Sequence, residues 1–213
     1  MRVIQPCSIA AVAAVAAAVF VAAADLYPDA VSMEAALREG RDYQIEALDR
    51  GAPVVVFAIH GGIEPGTARI ARALAKNDWN LFVFRALDRK IPYDAWHVTS
   101  RHFDDPRALA LAKSSLLGIS IHGEKGTGET ACIGGLNAPL RREMARSLRE
   151  AGFNAEEPCA RFPAPDLENI VNVPRANGAQ IEMTKSLRED LLSHPDLLRL
   201  FVGAVRGAVS VLL

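Results

Sequence analysis

Two apolar stretches decide the fold: VVVFAIHGG at residues 54–62 and LLGISIHG at residues 116–123. Each is a short run of β-branched and other apolar residues, which is typical of a strand buried on both faces. Helical periodicity between such runs predicts an α/β sheet that is covered by helices on both faces. Each stretch ends in a His-Gly pair, at His60 and His122. Since ligands bind beyond the carboxyl ends of strands in open α/β sheets, we expect the two imidazoles to meet at one edge.

A carboxylate follows the first of these histidines on a glycine-rich turn. The segment HGGIEPGT places Glu64 four residues after His60. Imidazole nitrogen and carboxylate oxygen are both zinc ligands, and a catalytic zinc usually keeps three protein ligands and one open position. The pattern therefore indicates a metal site formed by His60, Glu64 and His122. The alternative is that His60 caps a strand end and that Glu64 is a solvated residue of the turn.

A second carboxylate is the candidate for proton transfer. In GAQIEM, residues 178–183, Gln180 and Glu182 alternate with apolar neighbours and would share one face of a strand. Polar side chains on a buried strand are costly unless they face a site, and a metal hydrolase needs a general base. Glu182 is therefore the predicted catalytic residue. The alternative is that this segment is a solvent-facing edge strand.

Composition excludes several classes of protein. The 213 residues include 24 Lys and Arg and 25 Asp and Glu, which gives a net charge of -1. With 50% hydrophobic and 23% charged residues, the chain is neither a disordered tail nor a polytopic membrane protein. The balanced charge offers no basic surface for nucleic acid, so no nucleic-acid partner is expected. Oligomeric state is not predicted by the sequence.

The first 24 residues predict a secretory signal peptide, followed by a single domain over residues 25–213. One arginine precedes an alanine-rich apolar segment, and Ala22-Ala23-Ala24 fits a signal-peptidase site. The expected location is extracellular or periplasmic, with no membrane partner after cleavage; an uncleaved anchor is the alternative. In an oxidising compartment Cys132 and Cys159 could pair, and two isolated buried thiols are the other possibility.

Taken in order, the motifs resemble a known family. HGGIEPGT, WHVTSRHFDDP, SIHG, the Gly-Gly at 134–135, NIVN and GAQIEM together resemble the poly-γ-glutamate hydrolase family, which includes phage-borne enzymes. The resemblance covers about residues 54–188. It implies a zinc carboxypeptidase-like fold with a mixed, twisted sheet flanked by helices. It also implies that His60, Glu64 and His122 bind Zn²⁺ and that Glu182 is the catalytic glutamate.

Substrate binding is where the sequence departs from this family. Members commonly place arginine directly after NIVN, as part of an asparagine-arginine pair that holds a substrate carboxylate. Here Asn172 is followed by Val173 and Pro174 before Arg175. Asn172 and Arg175 are thus candidate substrate-binding residues, together with His97 in the family-like segment HVTS. The alternatives are a shifted substrate specificity and, for His97, a structural hydrogen bond to the backbone.

The sequence therefore predicts a secreted, zinc-dependent hydrolase of the γ-glutamyl amide bonds of poly-γ-glutamate. Such a polymer carries one α-carboxylate per residue, and Arg85, Arg101 and Arg175 are candidates for its groove; the alternative for each is a surface salt bridge. Two alternatives stay open. The site could cleave another amide, as a carboxypeptidase-like peptidase would, or the chain could be a non-catalytic secreted binding protein that retains the fold.

Overall fold

A computed structural model describes residues 25–88 and 90–213. The predicted signal peptide, residues 1–24, lies outside the described residues. The strands are β1 (Tyr43–Leu48), β2 (Val54–Gly61), β3 (Asn80–Ala86), β4 (Leu117–Gly123), β5 (Thr130–Gly134), β6 (Asn154–Glu156) and β7 (Gly178–Met183). The helices are α1 (Ala30–Ala36), α2 (Thr67–Ala75), α3 (Pro106–Ser114), α4 (Ala138–Glu150), α5 (Lys185–Ser193) and α6 (Pro195–Ser210).

The seven strands form one mixed sheet in the order β1-β3-β2-β4-β7-β5-β6. The central strands β3, β2, β4 and β7 run parallel. β1 is antiparallel to β3, and β5 is antiparallel to β7. The predicted α/β class is therefore confirmed. Because β2, β4 and β7 are parallel neighbours, the segments that leave their carboxyl ends emerge at the same edge of the sheet.

Helices cover both faces of the sheet, as the alternation of side chains along β2 shows. Val54, Val56 and Ala58 pack into one cluster with residues of α2, α4, α5 and α6. Val55, Phe57 and Ile59 pack into a second cluster with residues of α1 and α3. Successive side chains of a strand point to opposite faces, so a central strand between two helical layers must be apolar throughout. This explains why the sequence of β2 has no polar residue before His60.

The position of β7 in the sheet shows whether its polar residues face solvent or a site. β7 lies between β4 and β5, so GAQIEM is not an edge strand. Ile181 and Met183 are completely buried in the core, as their alternation predicts. Gln180 and Glu182 are also buried and line a cleft. These polar residues therefore face a site rather than bulk solvent.

A disulfide joins Cys132 on β5 to Cys159, with the two Cα atoms 5.0 Å apart. The pairing, which the sequence left open, connects the sheet to the segment that follows β6. That segment, through Asp166, supplies part of the cleft wall. Among the described residues, no helix is both long enough and apolar enough to span a bilayer.

Candidate metal centre

Each predicted ligand is placed by the end of a strand. His60 is the penultimate residue of β2, and the Glu64 N–H donates to the His60 carbonyl over 2.9 Å, which folds the turn back on the strand. Gly62 makes this turn possible: its φ is 93°, and a Cβ there would lie 2.4 Å from the carbonyl oxygen of Ala86. His122 is the penultimate residue of β4, the strand next to β2. The turn and the strand pairing thus bring all three side chains to one place.

Donor atoms of these three residues converge within 4.8 Å of one another. His60 Nδ1 lies 3.2 Å from His122 Nδ1 and 2.9 Å from Glu64 Oε1. His122 Nδ1 lies 3.6 Å from Glu64 Oε2. All three residues are buried. The sequence-predicted group of His60, Glu64 and His122 is therefore assembled in the structure.

Hydrogen bonds on the far side of each ring leave the converging nitrogens free to bind a cation. His60 Nε2 lies 2.9 Å from the Val98 carbonyl, which can only accept, so Nε2 carries the proton and Nδ1 presents a lone pair. His122 Nε2 lies 2.8 Å from the hydroxyl of Ser120, which can accept its proton in the same way. Such partners orient metal-binding histidines and select their tautomer.

The residues fit a zinc ion by donor chemistry and by spacing. Two imidazole nitrogens and a carboxylate are a common donor set of catalytic zinc. With Zn–N bonds of 2.0–2.1 Å, two tetrahedral nitrogen ligands are about 3.3 Å apart, close to the separation of the two Nδ1 atoms. Three lone-pair donors this close in a buried site repel one another unless a proton or a metal ion lies among them.

The carboxylates of the site have opposite pKa shifts. Burial raises the pKa of Glu64, but the positive charges of His60 and His122 in their protonated forms outweigh burial and hold this pKa well below its usual range. For Glu182, burial is the largest cause, and its pKa is raised to about 7. Glu182 is the register partner of His122 on the adjacent strand. The site therefore pairs an ionised carboxylate, Glu64, with a neighbouring carboxyl group that exchanges its proton more readily near neutral pH.

His97 also lies at this site. Its ring stacks on that of His60 with 4.5 Å between centroids, and its Nδ1 lies 2.6 Å from Asp25 Oδ1. Burial is the main cause that lowers its pKa. His97 lines the same cleft as the ligands. Its predicted role in substrate binding stays a prediction.

The cleft in front of this group has a volume of about 920 Å³. Its walls combine segments that follow β2, β3, β4 and β6 with residues of β7 and α5. The cationic side chains that line it are Arg101, Lys125, Arg161, Lys185 and Arg188. Sequence reasoning identified Arg101 but missed the other four, because no motif of the sequence marks them as facing the cleft.

Other predicted substrate-binding residues lie elsewhere. Arg85, on β3, donates to Gln44 over 2.7 Å and does not line the cleft. Arg175 is exposed, and its backbone N–H donates to Ser115 near the start of β4, at the opposite end of that strand from His122. Asn172 is buried, and its side chain is hydrogen-bonded to backbone groups. It accepts from Leu136 N–H and donates to the carbonyls of Ala164 and Asp166.

Comparison with known proteins identifies the family of this chain. The model of the poly-gamma-glutamate hydrolase family matches residues 27–200. The chain belongs to this family. The UPF0714 protein YndL of Bacillus subtilis is 34% identical over 157 residues, which are 70% of this chain and 60% of YndL. The chain thus matches less than two thirds of the length of that curated relative.

Two solved structures share this fold. A structure of a bacteriophage poly-gamma-glutamate hydrolase is 28% identical, with a TM-score of 0.80 over 87% of this chain and 97% of the phage chain. A structure described as zinc-free YndL is 27% identical, with a TM-score of 0.79 over 87% of this chain and 98% of the other. The predicted zinc carboxypeptidase-like fold of this hydrolase family is therefore confirmed.

The contacts of Asn172 give a test of its role. Asn172→Ala should lower the free energy of unfolding by about 1–3 kcal/mol, because buried groups lose their hydrogen-bond partner. Urea unfolding measures this. Asn154→Ala is the matched control: residue 154 is exposed, so its replacement should change stability by no more than about 0.5 kcal/mol. Unchanged stability of Asn172→Ala, with weaker substrate binding, would instead assign Asn172 to the substrate.

Proposed function

We propose that this chain is a zinc-dependent hydrolase that cleaves the γ-glutamyl amide bonds of poly-γ-glutamate. The observation that carries the proposal is the convergence of His60, Glu64 and His122 beside Glu182, in a chain that belongs to the poly-gamma-glutamate hydrolase family. A family of hydrolases and a buried metal-binding group at the base of a large cleft support the same chemistry.

The donor set supports zinc as the metal, held by His60, Glu64 and His122. The description of the YndL structure as zinc-free also supports it, since it associates a relative with this metal. When bound, zinc lowers the pKa of a water molecule and polarises a carbonyl group. The protein contributes the fixed orientation of the ligands, which Val98 and Ser120 set through the far ring nitrogens.

Glu182 is the proposed general base and acid. Its register position opposite His122 places it next to the ligands, and Gln180 Nε2 lies 3.4 Å from its Oε1. The carboxylate takes a proton from the attacking water and then gives it to the departing nitrogen of the amide. Gln180 also donates to the Phe162 carbonyl over 3.1 Å, which ties this pair to the cleft wall.

The charges of the cleft support a polyanionic substrate. Poly-γ-glutamate carries an α-carboxylate on every residue, and such groups pair with arginine and lysine. Arg101, Lys125 and Lys185 line the cleft. Arg161 lines it as well, and although it pairs with Glu124 and Glu156, its side chain is 48% exposed and accessible to a ligand.

Replacement of Glu182 tests the mechanism. Glu182→Gln keeps the shape of the side chain but cannot transfer the proton, so turnover of poly-γ-glutamate should fall by about 10²–10⁴-fold. Zinc content, measured by mass spectrometry, should stay at the wild-type value because Glu182 is not a ligand. Glu46→Gln, the same change on β1 outside the cleft, should retain full activity.

Three results would contradict parts of this proposal. Wild-type turnover in Glu182→Gln would exclude its role in proton transfer. A wild-type protein that cleaves small peptides with free carboxyl termini, but leaves the polymer intact, would show a peptidase instead. Purified protein that contains no zinc and that binds the polymer, but does not cleave it even after zinc is added, would indicate a binding protein.

We also propose that the chain is exported and that residues 1–24 are removed. The Cys132–Cys159 disulfide supports export, because structural disulfides persist in oxidising compartments. Asp25 accepts hydrogen bonds from Thr99 N–H and from His97, and cleavage before Asp25 would leave these contacts intact.

Terminal sequencing tests this proposal. Protein recovered from outside the cytoplasm of a producing cell should begin at Asp25. Membrane-bound protein that still begins at Met1 would instead show an uncleaved anchor. A change of the two alanines at 22 and 24 to bulky residues should abolish processing if a signal peptidase acts here.

A further inference from the structure

Arg188 connects the three segments that carry the site. It belongs to α5, and its side chain is buried, with the residue only 5% exposed. Its guanidinium donates to three backbone carbonyls: Nη1 to Pro65 over 2.7 Å, Nη2 to Glu124 over 3.1 Å and Nε to Met183 over 3.2 Å. The planar, rigid fork of guanidinium can bind several acceptors in a fixed arrangement, which an ammonium group cannot do.

These carbonyls belong to three different strand ends. Pro65 directly follows Glu64, and Met183 directly follows Glu182. Glu124 follows His122 by two residues. The distances between the three segments determine how closely the ligands and the general base approach one another. Arg188 contacts all three segments, each within two residues of a functional side chain.

Gly123 shows how closely Arg188 supports the ligands. A Cβ at residue 123 would lie 2.5 Å from the Arg188 Cζ, so the guanidinium packs directly against the glycine backbone. The N–H of the same residue donates to Glu64 Oε2 over 2.8 Å. Arg188 thus supports the peptide that holds the ligand carboxylate, and only glycine leaves room for this contact.

We propose that Arg188 is a positioning residue of the metal centre, which strengthens zinc binding by holding the segments after β2, β4 and β7 in one arrangement. The inference rests on the zinc site of the proposed function. The direction in which zinc affinity changes, when Arg188 is replaced, distinguishes a positioning role from an effect of its charge alone. A buried cation near a metal site opposes a second cation, so charge alone predicts tighter zinc binding when Arg188 is neutralised. Positioning predicts weaker binding.

Zinc affinity of the metal-free protein, measured by competition with a chromogenic chelator, tests this inference. Arg188→Gln and Arg188→Lys should each bind zinc about 10–100-fold more weakly than wild type, as is usual when a residue that orients metal ligands is lost. Arg188→Lys keeps the charge and most of the volume, so it serves where Arg188→Gln does not fold. Affinity equal to or tighter than wild type in a folded Arg188 variant would overturn the inference.

Arg206→Gln is the matched control for loss of a partly buried arginine. Arg206 on α6 donates to the Leu74 carbonyl over 2.8 Å and stacks on Trp79, away from the residues that line the cleft. Its variant should lose thermal stability but bind zinc within about twofold of wild type, whereas the Arg188 variants lose affinity. An equal loss of affinity in Arg206→Gln would show a general effect of destabilisation and overturn the inference.

The affinity measurement uses no substrate, so it separates this inference from the proposed function. Wild-type protein that binds zinc but leaves poly-γ-glutamate intact would refute the function and leave the role of Arg188 standing. Wild-type protein without zinc affinity would refute the metal centre, and the role of Arg188 with it.

Discussion

The functional interpretation depends on three lone-pair donors facing one another at the edge of the sheet. The Nδ1 atoms of His60 and His122 are 3.2 Å apart, and the carboxylate of Glu64 lies against both. In a buried site this arrangement is stable only if a proton or a metal ion offsets the repulsion between the donors. The fold must therefore hold the donors together against that repulsion. A metal ion that binds between them would remove the repulsion, and this relief would favour metal binding.

The parallel centre of the sheet provides this constraint. β2 and β4 are paired neighbours, so two histidines at their carboxyl ends are brought within contact although 62 residues separate them in sequence. β7 pairs with β4 in a register that sets Glu182 beside His122. Because all three strands are buried between helical layers, their ends have little freedom to move. The positions of His60, His122 and Glu182 thus follow from strand pairing, whereas the turn after β2 places Glu64.

The sequence predicted the site residues that lie on, or directly after, the apolar strands. His60 and His122 each end an apolar run, and Glu182 alternates with buried residues, so the period of a strand was enough to place them. Arg161 and Arg188 could not be predicted in the same way. Arg161 stands on an irregular segment that a disulfide ties to β5, and Arg188 acts through carbonyl groups that are distant in sequence.

Asn172 shows a different limit of prediction from the sequence. Family resemblance suggested a role in substrate binding, which stays a prediction; the structure shows that the amide is buried and bonded to the backbone of two neighbouring segments. A residue type reveals which hydrogen bonds a side chain can make, whereas only tertiary structure reveals which partner it meets. The same reason left the Cys132–Cys159 pairing open, since a sequence separation of 27 does not determine a Cα–Cα distance.

A crystal structure of the zinc-loaded protein, with anomalous diffraction recorded on both sides of the zinc absorption edge, tests the central claim most directly. We expect one zinc peak per chain, bound by Nδ1 of His60, Nδ1 of His122 and the Glu64 carboxylate, with Glu182 next to it but unbound. A peak at another place, or none between these three side chains, would contradict the assignment of a metal centre and the hydrolytic mechanism that depends on it.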